Sequence, residues 1–209
     1  VRREMPPITG SSEAGRPSSR ASASRHAFLP ASDDPVIGVI SRLTDQKGLD
    51  ILLGGLDRIM GTGARLVVLG SGEERYHRWL DDRVRAFPDG MRVILRYDDG
   101  LARRIYAGSD IFLMPSRYEP CGLGQMHALR YGSVPVVRRT GGLADTVDDV
   151  DERTGRGTGF LFEGYDPAAL AAGVERAIRM YRRRTDWRRI MQQGMRVDFS
   201  WKHSAREYQ

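Results

Sequence analysis

Arg42 and Lys47 stand five positions apart in the run Ser41-Arg42-Leu43-Thr44-Asp45-Gln46-Lys47-Gly48. A planar guanidinium fork and a mobile ammonium beside a glycine suit a clamp on a diphosphate. A second run, Met114-Pro115-Ser116-Arg117-Tyr118-Glu119-Pro120-Cys121-Gly122-Leu123-Gly124-Gln125-Met126, carries one carboxylate and then glycines that open an expected helix, Leu123 to Tyr131. Glycines let backbone approach a ligand, and the free N–H groups of a helix's first turn point at negative charge. Glu119 would repel phosphate, so it fits hydroxyls on the same ligand, such as those of a sugar. Plainer readings stand beside these: solvated loop charges for Arg42 and Lys47, and a strand–loop–helix joint with a capping carboxylate for Glu119.

Other residues of unusual type fall in comparable places. Tyr97 is flanked by Arg96, Asp98 and Asp99, which favours a ring at the surface, able to stack on a nucleotide base, over a core position. Gly70-Ser71-Gly72 lacks the further spacing of a dinucleotide fingerprint, so no nicotinamide site is expected. Arg138-Arg139-Thr140-Gly141-Gly142-Leu143 reads as a turn or as a point of close backbone approach. His127 is expected to be an ordinary helix residue and Cys121 a small packing residue in the loop. The four histidines show no metal-ligand spacing, so neither a metal nor a cofactor is expected.

The elements that must position these groups are short β-branched runs: Val36–Ile40, Leu66–Leu69, Val93–Leu95, Ile111–Met114, Val134–Val137 and Phe160–Phe162. Most are nearly continuous in apolar character, as strands covered on both faces should be. Between them lie segments with helical spacing, among them Leu49, Leu52, Leu53, Leu56 and Ile59. A shorter one carries Ala102, Ile105 and Tyr106. The last third, Asp166–Arg183 and Trp187–Arg196, reads as two helices with no strand between them. Alternating strands and helices predict an α/β fold, a doubly wound and mostly parallel Rossmann-like sheet. In such sheets ligands bind beyond the carboxyl ends of the strands. Each of the loops singled out above follows a predicted strand.

At 209 residues the chain is long enough for one well-cored domain and a tail. Residues 1–34 are dominated by Ser, Arg, Pro, Ala and Gly without hydrophobic periodicity and are expected to be disordered; 35–209 are expected to form the domain. No apolar run approaches a membrane span. One cysteine allows no intramolecular disulfide and favours a cytoplasmic setting. The net charge of +6 points to an anionic partner. Its arginines are spread along the chain, which disfavours nucleic acid.

With these residues in view, Pro35 to Tyr208 resembles the C-terminal domain of bacterial glycogen synthases and plant starch synthases. The resemblance is carried by Val39-Ile40-Ser41-Arg42-Leu43 with Gln46-Lys47-Gly48, by Val67–Gly72, by Leu113–Leu123, by Pro135–Val147 and by Asp198-Phe199-Ser200-Trp201. It implies the C-terminal half of a two-domain GT-B glycosyltransferase. The reaction implied is transfer of glucose from ADP-glucose to the non-reducing end of an α-1,4-glucan, with retention. It also implies roles: Arg42 and Lys47 hold the diphosphate, Glu119 contacts the donor glucose, and Tyr97 stacks on adenine. The stretch Cys121, Gly122, Leu123, Gly124 and Gln125 meets the donor, with backbone at Gly122–Gln125 on the distal phosphate. Related retaining transferases carry a second glutamate eight positions after the first, where this chain has His127; glycogen synthases usually lack it too. Gly124 stands where the family commonly has threonine. The family also needs an N-terminal acceptor domain, to which nothing in residues 1–34 corresponds, so the chain alone is expected to be a donor-binding half without measurable turnover.

Overall fold

The structure, a computed structural model, describes Leu29, Pro30 and residues 32–200. Its sheet is formed by β1 (Val36–Ile40), β2 (Arg65–Leu69), β3 (Met91–Ile94), β4 (Ile111–Met114), β5 (Val134–Arg138) and β6 (Phe160–Phe162). All six strands are parallel, in the order β3-β2-β1-β4-β5-β6. Among the described residues the helices are α1 (Leu49–Met60), α2 (Glu74–Ala86), α3 (Asp99–Gly108), α4 (Gly124–Tyr131), α5 (Gly141–Thr146), α6 (Pro167–Arg182) and α7 (Arg184–Arg196). The doubly wound α/β fold expected from the sequence is the one observed.

The apolar runs are continuous, yet their residues sort by alternation between two covered faces. Ile37, Val39, Leu66, Val68, Ile111, Leu113, Val134 and Val136 enter the large core beneath α1, α2, α6 and α7. On the opposite face Val67 and Leu69 meet Ile105 of α3, Phe112 meets Tyr106 and Ala128, and Val137 meets Leu143 of α5. A strand buried on both faces has no solvent side to mark with polar residues, which explains the continuity. The helix starts are fixed locally. Asp98 accepts from the Leu101 N–H at 2.9 Å to cap α3. Asp166 does the same for Ala169 at 2.9 Å, with Pro167 in the first turn of α6.

The packed chain begins ahead of Pro35. Leu29 is buried against Val36 and Val67, Arg65 donates to the Pro30 carbonyl, and the Tyr181 hydroxyl donates to the Asp33 carbonyl at 3.1 Å. The rest of the stretch expected to be disordered, residues 1–28 and Ala31, lies outside the described residues. Helix α5 was not expected, because its six residues open on two glycines and are too few to show a helical period. Helix α7 starts at Arg184, three residues earlier than the apolar spacing from Trp187 implies.

Candidate functional site

From β1 the chain builds outward to β2 and β3, and from β4 it builds the other way to β5 and β6. The helices that follow β1 and β4 therefore lie on opposite faces of the sheet, and the loops leading to them border the crevice at which doubly wound sheets bind ligands. A cavity of about 180 Å³ lies there, walled by Ser41 and Lys47 from the first loop, Ser116, Glu119 and Gly122 from the second, and His127 from α4. Lys47 Nζ is 2.5 Å from Glu119 Oε2, the two side chains being 18% and 10% exposed. The Ser116 hydroxyl donates to the same carboxylate oxygen at 3.2 Å.

Lys47 ends a 3-10 turn, Asp45–Lys47, that is held from several sides. The Tyr165 hydroxyl, from the segment after β6, lies 2.8 Å from the Asp45 carbonyl and 2.5 Å from Asp50 Oδ1. The Tyr76 hydroxyl donates to the Asp45 carboxylate, which Arg75 pairs at 2.8 Å. That hydroxyl, and then Arg75, hold the Asp45 carboxyl below its ordinary pKa of 3.8. The Arg117 N–H donates to the Gln46 carbonyl at 2.9 Å. The Arg117 guanidinium lies 4.4 Å over the Tyr165 ring, and Arg138 lies 5.4 Å from that ring while donating to the Arg117 carbonyl at 2.6 Å. Gly48 closes the turn at φ 76°, where a Cβ would run into the Pro115 carbonyl. Only glycine fits this crossing of the β1 and β4 loops.

The start of α4 is braced from within. Gln125 is fully buried, and its Nε2 lies 3.0 Å from the Gly122 carbonyl, 3.3 Å from that of Cys121 and 2.9 Å from the Thr146 hydroxyl. Its Oε1 is buried without a hydrogen-bond partner. Gly122 has φ 71°, and a Cβ there would sit 2.6 Å from that oxygen. The Gly142 N–H donates to the Glu119 carbonyl at 2.9 Å, so the close approach expected at Gly141-Gly142 is made to the Glu119 loop.

Of the residues proposed from sequence, Lys47, Glu119, Gly122, Leu123 and Gly124 wall the cavity, and Arg42, Tyr97, Cys121 and Gln125 do not. Arg42 is exposed and donates to Gln46 Oε1 at 3.1 Å. Tyr97 follows β3, two strands away from β1, and is 87% exposed. Cys121 is exposed. The Gln125 side chain turns inward to hold the loop, leaving only its backbone for a ligand.

His127, expected to be an ordinary helix residue, and Tyr106, expected on a helix stripe, line the cavity with ring centroids 5.7 Å apart. Burial, and then Tyr131, push the Tyr106 hydroxyl up to about 12. His127 lies three residues after Gly124, hence on the same helix face one turn on, and that spacing was the available signal. Among the described residues no group of three or more His, Cys, Asp or Glu is placed to hold a metal ion, and no helix is long and apolar enough to cross a membrane.

A parallel doubly wound sheet with a lysine–carboxylate pair and a glycine-opened helix at its switch point defines an α/β domain of the Rossmann-like class with a candidate ligand site at that point. Residues 22–193 match the family described as glycosyl transferases group 1, and the chain belongs to that family. It is 51% identical over 180 residues to the glycogen synthase of Kosmotoga olearia, covering 86% of this chain and 38% of that protein. To the glycogen synthase of Moorella thermoacetica it is 50% identical over 191 residues, covering 91% and 39%. The chain thus spans about two fifths of the length of these relatives. The catalytic domain of starch synthase IV from Arabidopsis thaliana, solved with ADP and acarbose, superposes with a TM-score of 0.83 at 37% identity, over 92% of this chain and 41% of that one. Sucrose-phosphate synthase from Thermosynechococcus elongatus, at 21% identity and a TM-score of 0.65 over 89% and 47%, shares the fold.

Proposed function

We propose that this chain is the donor-binding domain of a glycogen or starch synthase. It would hold ADP-glucose in the β1/β4 cleft while glucose passes, with retention, to the end of an α-1,4-glucan presented by an acceptor domain. The reading is carried by one observation: Lys47 and Glu119, from loops after different strands, meet at 2.5 Å on the wall of the switch-point cavity. One charge of each sign side by side is what a ligand with a diphosphate next to a polyhydroxylated ring requires. The likeness to glycogen synthases over most of the chain and the ADP held by the starch synthase IV relative support the same ligand.

In this reading Lys47, with Arg42 swinging in from solvent, takes the diphosphate, and the first-turn backbone of α4 at Gly122–Gln125 meets the distal phosphate. Cys121 and Leu123 flank that phosphate loop, Tyr97 stacks on the adenine, and Glu119 accepts hydrogen bonds from glucose hydroxyls. The transfer leaves a diphosphate whose charge grows as the glycosidic bond breaks, and cations fixed around it stabilise that charge. Glucan extension needs the acceptor held against the donor, a contribution of about 7–11 kcal/mol to lowering the barrier. The single cysteine fits a cytoplasmic setting, and neither nucleic acid nor membrane enters the scheme.

Titration calorimetry with ADP-glucose and UDP-glucose, paired with labelled-glucose incorporation into glycogen, tests this reading. Binding of ADP-glucose in preference to UDP-glucose, without measurable glucan extension by this chain alone, is expected. Preference for UDP-glucose would replace the donor. Turnover within about tenfold of a longer relative would remove the need for an acceptor domain.

A further inference from the structure

We infer that the Lys47–Glu119 pair is a selector that favours a sugar-bearing nucleotide over the bare nucleoside diphosphate; this rests on the donor-site reading above. Neither group is at a ligand's free disposal. The Lys47 ammonium is 2.5 Å from Glu119 Oε2, both side chains are largely withdrawn from water, and Ser116 donates to that same oxygen. Both side-chain hydrogen bonds to Glu119 land on Oε2, which makes Oε1 the oxygen left for a hydroxyl.

A phosphate entering the cavity meets two obstacles of one origin. Its cation is already engaged, and the carboxylate beside that cation repels it. A bare diphosphate that draws Lys47 away leaves Glu119 desolvated without its counter-charge, and breaking a buried pair from one side costs far more than the pair contributes when intact. A ligand that bears a sugar on its distal phosphate solves both problems in one exchange. Lys47 moves onto the phosphate while the sugar's hydroxyls donate to the carboxylate that Lys47 has left. The discrimination comes from a penalty built against the wrong ligand as much as from contacts to the right one. Its consequence for turnover is that the spent nucleotide, stripped of its sugar, is expelled when Lys47 returns to Glu119.

The test is calorimetry of ADP and of ADP-glucose with the wild-type chain and with Glu119→Gln, which keeps the shape and removes the charge. Glu119→Ala serves as a second variant, and far-ultraviolet circular dichroism verifies the fold of each. In both variants ADP should bind more tightly, by about fivefold or more. ADP-glucose should lose its advantage over ADP. Unchanged or weaker ADP binding by both folded variants, alongside a normal wild-type ADP-glucose complex, overturns the selector and leaves the donor-site reading standing. Failure of the wild-type chain to bind either nucleotide overturns the donor-site reading, and the selector with it.

Discussion

Two stretches of the same sheet edge are built on opposite plans. Between β1 and β4 the side chains are engaged before any ligand arrives: Lys47 with Glu119, Tyr165 with Asp45 and Asp50, and Gln125 with the loop carbonyls. Toward β3 the edge is loose. Tyr97 stands 87% exposed, and Arg42 reaches no further than Gln46 along its own loop. The difference separates two tasks. The seam between β1 and β4 fixes where charge sits, so its residues serve folding and binding at once. In the proposed reading the exposed groups, Tyr97 and Arg42, are ordered only by the ligand, so changing them should touch binding and spare the fold.

Gly48→Ala should break the contrast most severely. It forces a side chain into the left-handed region and against the Pro115 carbonyl, at a cost of about 1–3 kcal/mol for the backbone alone and more for the collision. Urea unfolding should show the midpoint falling accordingly. A loss below about 0.5 kcal/mol would mean that the β1 and β4 loops are not held at this crossing.

Tyr165→Phe keeps the ring against Arg117 and Arg138 and deletes only the hydroxyl. The expected loss is about 1–2 kcal/mol of stability, together with weaker ADP binding through the loosened Lys47 turn. If stability falls and ADP affinity holds, Tyr165 braces the fold without placing Lys47. Tyr97→Ala sits at the other pole. Stability should stay within about 0.5 kcal/mol of wild type, while ADP binding weakens by about 1–3 kcal/mol if the ring stacks on the base. A stability loss of the same size as for Tyr165→Phe would erase the distinction between seam and rim.

The smallest effect is on acid sensitivity. Asp45 has a lowered pKa, held down by Tyr76 and then by Arg75. Its contribution is therefore fully present above the ordinary value of 3.8 and is lost as the pH falls through the lower folded value. Asp45→Asn should lose a small part of the wild-type chain's stability at neutral pH and show a shallower decline of stability below pH 4. Unfolding curves of equal slope against pH for the two proteins would remove Asp45 from the brace.

The strands were legible from sequence because each is a compact apolar run closed by a polar loop: Val36–Ile40, Ile111–Met114 and Phe160–Phe162 fall where expected. Lys47 and Glu119 were legible because each lies in a loop directly after a strand, and topology sends such loops to one edge. Their mutual pairing was not legible, since 72 residues separate them. Nothing in the segment around Tyr165 announces a partner 115 positions earlier. Gln125 was expected in the first turn of a helix and lies there, but the direction of its side chain depends on Thr146, from a helix that the sequence did not show. Leu29 escaped notice because the apolar run Ala27-Phe28-Leu29 is too short to show a period.

The narrow contact between β1 and β4 has a consequence for how the molecule assembles. These strands pair at only two positions, Ile37 with Ile111 and Gly38 with Phe112, against five for β1 and β2. The strands on either side form two blocks, each contiguous in sequence, and the stitches between the blocks join residues far apart, as in the bond from the Val36 N–H to Asp110, 74 positions on. Closing so long a loop costs entropy before any contact rewards it. Each block can therefore form its local pairings early, while the join comes late, secured by α1 lying on α6 with Arg58 paired to Glu175 at 2.6 Å. During synthesis Lys47 emerges long before Glu119 and has no counter-charge until the second block docks. On this order the cavity forms only when the blocks dock and is lost when they part, so any ligand that binds there would act as a staple across the joint.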